Sequence, residues 1–184
     1  MQTSYQALTD AQWQVMMPFF DLQRKRTVAL RQVVDALFYI LRTGCQWRNL
    51  PANYPHWQAV YYYFDRWKTN GLFEQINRAL NQIDRGQEGR APYPSILNTD
   101  SQSVKLTPMI YEHRGWDGHK NVNGRKRQLV VDSGGRLWVA KVHAANQADG
   151  VSSISLVADI AYLNDRLTKI FGDQAAGTVV KNKF

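Results

Sequence analysis

The stretch Arg127-Gln128-Leu129-Val130-Val131-Asp132-Ser133-Gly134-Gly135-Arg136-Leu137-Trp138-Val139-Ala140-Lys141-Val142-His143-Ala144 decides the fold. It reads as two apolar strands, Arg127–Asp132 and Arg136–Ala144, joined by a glycine-bearing turn, which is a β-hairpin. Upstream, Ser95 to Asp100 reads as a short strand. Downstream, Asp149 caps a helix over about Gly150–Asn164, and Thr168–Asp173 reads as a last strand. A helical crossover makes its two flanking strands run the same way, so a hairpin plus a crossover predicts a mixed sheet.

The residues before this sheet have a different period. Thr9 followed by Gln12 is a capping box, and Leu8 with Trp13 forms a hydrophobic staple. The predicted helix runs from Asp10 to Phe20 and bends at Pro18. Leu30, Val33, Val34, Leu37, Phe38 and Leu41 recur at spacings of three and four, and Gly44 stops that helix. Trp57, Val60, Tyr61, Phe64 and Trp67 mark a third helix, read as core. Leu72, Phe73, Ile76, Leu80 and Ile83 mark a fourth. Asp84 to Pro94 holds two glycines and two prolines and reads as a linker. The predicted class is α+β, with a helical domain over 1–85, a linker over 86–94 and a sheet domain over 95–184.

Of 184 residues, 23 are Lys or Arg and 15 are Asp or Glu, giving a formal net charge of +8. Such a chain expects a polyanionic partner. A polar N-terminus and the lack of a long apolar window argue against secretion and a membrane partner, leaving nucleic acid. The lone Cys45 excludes an intramolecular disulfide and fits a reducing, cytoplasmic setting.

Asp100 and Asp173 each end an apolar run, Ile96-Leu97 and Ile170-Phe171. If their two strands are neighbours, carboxylates at those exits suit a hard cation such as Mg²⁺ or Mn²⁺. The alternative is that each caps a turn. Asp132 precedes Ser-Gly-Gly and reads as a turn residue, and Asp117 reads as a loop residue. The run Gly118 to Arg127 carries four fixed positive charges and no acid. It reads as a nucleic-acid contact or as a solvated loop, and strand alternation puts Arg125 and Arg127 on one face and Lys126 on the other. Tyr62, Tyr63, Arg66 and Lys68 lie away from the third helix's apolar stripe and are DNA-contact candidates. Two helices separated by an irregular segment are weakly similar to a helix-turn-helix, the gap from about Gly44 to His56 being much longer than the standard turn.

Together these motifs resemble bacterial DDE transposases of the insertion-sequence-five type. The resemblance rests on Arg42-Thr43-Gly44-Cys45-Gln46-Trp47-Arg48-Asn49-Leu50-Pro51, on Tyr61 to Trp67, and on Asp100-Ser101-Gln102-Ser103-Val104-Lys105. It continues through Gly115-Trp116-Asp117-Gly118, Gly124 to Arg127, Val142 to Gly150, and Phe171-Gly172-Asp173-Gln174-Ala175. It implies a helical DNA-binding domain followed by an incomplete ribonuclease-H-like domain. It implies Asp100 and Asp173 as catalytic, metal-holding carboxylates for Mg²⁺ or Mn²⁺. DNA contacts are expected from Lys105, Lys120, Arg125, Lys126, Arg127, Arg66 and Lys68. The implied partners are insertion-sequence terminal repeats, target DNA and further copies of the chain in a nucleoid-associated homo-oligomer. Such a site needs a third carboxylate, yet residues 174–184 hold no Asp or Glu, and Ala176 stands where the family has an aromatic residue. The resemblance therefore predicts a truncated or frameshifted chain, inactive alone, or else a non-catalytic DNA-binding regulator.

Overall fold

The computed structural model describes residues 6–147, 159–163 and 166–172, and the backbone of 179–180. The chain forms two compact units, Met1–Ile76 and Asn77–Phe184. Its architecture is α+β, with helices first and a mixed sheet after.

In the first unit, α1 (Asp10–Met16) starts at the expected capping box. The Thr9 side chain accepts from the Gln12 N–H, and the Gln12 side chain accepts from the Thr9 N–H. Pro18 sits in a 3₁₀ turn over Met17–Phe19 that ends the helix. α2 (Leu30–Thr43) buries Leu30, Val33, Val34 and Leu37 and stops at Gly44, whose φ of 67° is the left-handed cap that glycine adopts without strain. α3 (Trp57–Thr69) buries Val60 and Trp67. Val33 and Val60 are fully enclosed, each contributing roughly 1.5–3 kcal/mol of apolar burial. Tyr61 departs from the expected core stripe: its ring packs edge-on against Trp47 and stays 45% exposed. Tyr63, expected away from that stripe as a DNA contact, instead packs its ring at a tilt against Trp67. The connection from Gly44 to His56 holds only a 3₁₀ turn over Trp47–Asn49.

α4 (Leu72–Gln87) begins in the first unit and ends in the second. Leu72 and Ile76 are buried, but Leu80 and Ile83, expected on the same apolar stripe, are exposed. Asn81 and Arg85 are buried instead. At 100° per residue they lie on the opposite side of the helix from Leu72. Asn77 and Asn81 both donate to the Leu137 carbonyl, at 2.8 and 2.6 Å. The Arg85 guanidinium meets Asp132 at 2.5 Å and the Ala91 carbonyl at 2.7 Å. Arg136 bridges Asp84 at 2.5 Å and Glu88 at 2.6 Å. The glycine- and proline-rich stretch after residue 85 is thereby pinned to the hairpin rather than left as a free linker. The division between units falls inside α4 for that reason.

Among the described residues the second unit holds six strands: β1 (Ile96–Lys105), β2 (Gly115–Asp117), β3 (Val122–Asp132), β4 (Leu137–Ala144), β5 (Lys169–Phe171) and β6 (Val179–Val180). β1 lies between β3, antiparallel, and β5, parallel, which makes the sheet mixed as expected. β4 and β2 both pair with β3, and β6 pairs with β5. The expected strands at Ser95–Asp100 and Arg127–Asp132 extend further, because Ser101 to Lys105 find ladder partners from Gln128 to Gly124. One face buries Leu97, Val130 and Trp138 against Ile160, Leu163 and Leu167. The helix expected at Gly150–Asn164 lies largely outside the described residues, within which Ala161–Leu163 form a 3₁₀ turn. Among the described residues no helix is long and apolar enough to cross a membrane.

Candidate nucleic-acid interface

Alternation along β1 sorts its side chains. Leu97 is buried and Thr99, Ser101 and Ser103 are half-buried on one face, while Ile96, Asn98, Asp100, Gln102 and Val104 are exposed on the other. The register places Asp100 opposite Leu129, Gln102 opposite Arg127 and Val104 opposite Arg125. Directly opposed residues of an antiparallel pair share a face. Asp100 therefore shares its open face with Arg125 and Arg127. Among the described residues its carboxylate has no hydrogen-bond or ion-pair partner.

Arg127 is exposed on that face. Arg125 donates to the Glu112 carbonyl at 2.7 and 3.1 Å and lies 3.8 Å from the Glu112 carboxylate. Lys105 is exposed at the end of β1, and Lys120 reaches the Ser101 carbonyl at 3.1 Å. Lys126 points to the opposite face, as alternation predicts, and is buried. Its ammonium donates to the Gln147 carbonyl at 3.2 Å and lies 3.9 Å from Asp117, which leaves no surface for a phosphate. Arg66 and Lys68 are exposed on α3 in the first unit, where Arg66 donates to the Tyr62 hydroxyl at 3.1 Å. Asp173 lies outside the described residues.

Asp117 is not a loop residue. It ends β2, is buried, and accepts from the Ser103 hydroxyl and from the N–H groups of His119 and Lys120. The Ser103 hydrogen bond is the main reason its pKa is lowered; burial opposes this, and the Lys120 N–H and the Lys126 charge add to the lowering. Nothing in the local sequence signals this cluster, since Ser103, Asp117 and Lys126 come from three strands. Asp132 is the turn residue the sequence suggests: it accepts from the N–H groups of Gly134 at 2.8 Å and Arg136 at 3.1 Å. Burial alone would raise its pKa, yet those bonds and Arg85 hold it below the usual carboxylate range. His143 is half-buried in β4, its Nδ1 lying 3.0 Å from the Ala144 carbonyl.

No three His, Cys, Asp or Glu side chains gather as a metal site among the described residues. Asp100 offers one open carboxylate, a donor type that suits a hard cation.

These features define an α+β protein with a helical first unit and a basic, open-faced mixed sheet. Residues 8–77 match the family described as "Putative transposase of IS4/5 family". No curated protein and no solved structure matches the chain.

Proposed function

We propose that the chain acts on DNA as a transposase, with the open face of the sheet as its working surface. In this reading Asp100 and Asp173 hold Mg²⁺ or Mn²⁺ in a ribonuclease-H-like domain, and the DNA comprises terminal repeats and target. The family match over 8–77 supports the general activity. The observation that carries the site is one of register: Asn98 pairs with Phe171 on parallel neighbours. Asp100 follows Asn98 by two residues, and Asp173 follows Phe171 by two. A β1 flanked by antiparallel β3 and parallel β5 also supports the ribonuclease-H-like reading.

Bound there, a divalent cation would supply Lewis-acid polarisation of a phosphoryl oxygen. The chain's own contribution is to hold the Asp100 carboxylate on a strand of nine ladder pairs with β3, with Arg127 on the same face for the phosphate backbone. The first unit's own proposed DNA contacts are Arg66 and Lys68 on α3.

Titration with Mn²⁺, followed by the loss of the free-ion electron paramagnetic resonance signal, tests the carboxylate assignment. Wild type should bind the ion, and Asp100→Asn and Asp173→Asn should each weaken binding at least about tenfold, as loss of a charged ligand does. Equal Mn²⁺ binding by wild type and Asp100→Asn would remove Asp100 from the site.

A further inference from the structure

The connection from β1 to β2, residues 106–114, is firmly built yet holds large apolar side chains in solvent. Met109 is 84% exposed and Tyr111 76% exposed, and Ile110 is also open. Two consecutive turns shape it. The Ile110 N–H bonds the Thr107 carbonyl at 3.2 Å, with Pro108 fixing the first corner, and the Arg114 N–H bonds the Tyr111 carbonyl at 3.3 Å. His113, at φ 50°, makes the second corner. Arg114 ties the loop from inside to the Thr107 carbonyl, and Arg125 ties Glu112 to β3. A loop held this way cannot fold its tip inward, so the exposure of Met109 and Tyr111 is part of its design.

Its surroundings indicate the occupant. Trp116 is 54% exposed, and its ladder partner Asn123 shares the open face with Arg125 and Arg127. The Arg114 guanidinium lies 5.5 Å from the centre of the Tyr111 ring. Residues 105–127 carry six Lys or Arg against Glu112 and a buried Asp117. Exposed π-faces interleaved with guanidinium groups suit unpaired bases, which stack while their phosphates are neutralised.

We infer that Tyr111, Met109 and Trp116 form a base-stacking platform for unpaired DNA at the end of β1. The platform begins roughly 17 Å along the strand from Asp100, at about 3.3 Å per residue. This rests on the proposed action on DNA and adds a preference for locally unpaired strands.

The test uses the full chain and two probes of equal phosphate number, a fully paired duplex and a fork whose single-stranded arm carries 2-aminopurine. Wild type should bind both, favour the fork and change the 2-aminopurine emission. Tyr111→Ala should lose about 5- to 150-fold of fork affinity, the worth of one stacked base, with duplex affinity nearly unchanged. Met109→Ala should act in the same direction. Both side chains are solvent-exposed, so the melting temperature should stay at the wild-type value, and the Tyr111→Phe variant, which keeps the π-face, should retain fork binding. Equal wild-type binding of fork and duplex, or variants that leave the fork affinity untouched, would overturn the platform while leaving the DNA reading standing. A change in sedimentation with no change in fork affinity would reassign the tip to contact between copies. Failure of wild type to bind either probe at low salt would overturn both.

Discussion

Replacing Asp132 by Ala should cost the second unit about 3–5 kcal/mol, the usual range for stranding one partner of a buried ion pair. The Asp132 side chain is fully enclosed, and that of Arg85 is 7% exposed. One carboxylate satisfies Arg85 at 2.5 Å and two turn N–H groups, and it lies 3.7 Å from Arg136. Its loss leaves a guanidinium buried beside two carbonyls, those of Ala91 and Tyr93, which cannot neutralise its charge. Amide hydrogen exchange of peptides from β3 reports this unit directly. The predicted change is exchange at least about a hundredfold faster, since each 1.4 kcal/mol is a factor of ten. Arg85→Met combined with Asp132→Asn removes both charges and should recover a large part of the loss. A change in β3 protection worth less than about 0.5 kcal/mol in Asp132→Ala, the range of an ordinary surface substitution, would refute the reasoning.

Acid should act on the same groups. The pKa values of Asp132 and Asp117 are lowered in the folded chain, so their stabilisation is fully present above the ordinary Asp value near 3.9 and disappears as pH falls through the lowered values. Denaturation midpoints followed from about pH 5 downward should therefore fall, less steeply in Asp117→Asn than in wild type. Gly124→Ala should be among the more damaging single changes in β3, because a Cβ there would lie 1.9 Å from the Val104 carbonyl oxygen of β1, and loss of β1–β3 exchange protection would register it. Thr9→Ala removes half of the capping box and should cost about 1 kcal/mol in urea unfolding.

Local chemistry made much of the fold readable. The Thr9–Gln12 box, the Gly44 stop and the hairpin around Ser133–Gly135 all follow from residues close together in sequence, whereas the pairing of β1 with β5, some seventy residues on, is implied only by the family resemblance. The features that escaped depend on distant partners. Periodicity extends the stripe of α4 through Leu80 and Ile83, but Asn81 and Arg85 are buried because Leu137 and Asp132, more than forty residues on, satisfy them. Lys126 and Asp117 look like surface charges until three strands bring them together with Ser103. In the candidate site, alternation correctly separated Arg125 and Arg127 from Lys126. The exposed tip at Met109 and Tyr111 had no sequence signal, since an apolar loop residue reads equally well as one that folds inward.

The central claim, that this basic sheet face works on DNA, is tested most directly by the salt dependence of duplex binding. Fluorescence anisotropy of the full chain with a labelled duplex of about 30 base pairs, from about 50 to 200 mM salt, gives the slope of log affinity against log salt. Wild type should bind with a steep negative slope, and Arg127→Ala should make it shallower by about one contact, while Lys126→Met leaves it unchanged. A wild-type chain that fails to bind at the lowest salt, or an Arg127→Ala variant with the wild-type slope, would contradict the account.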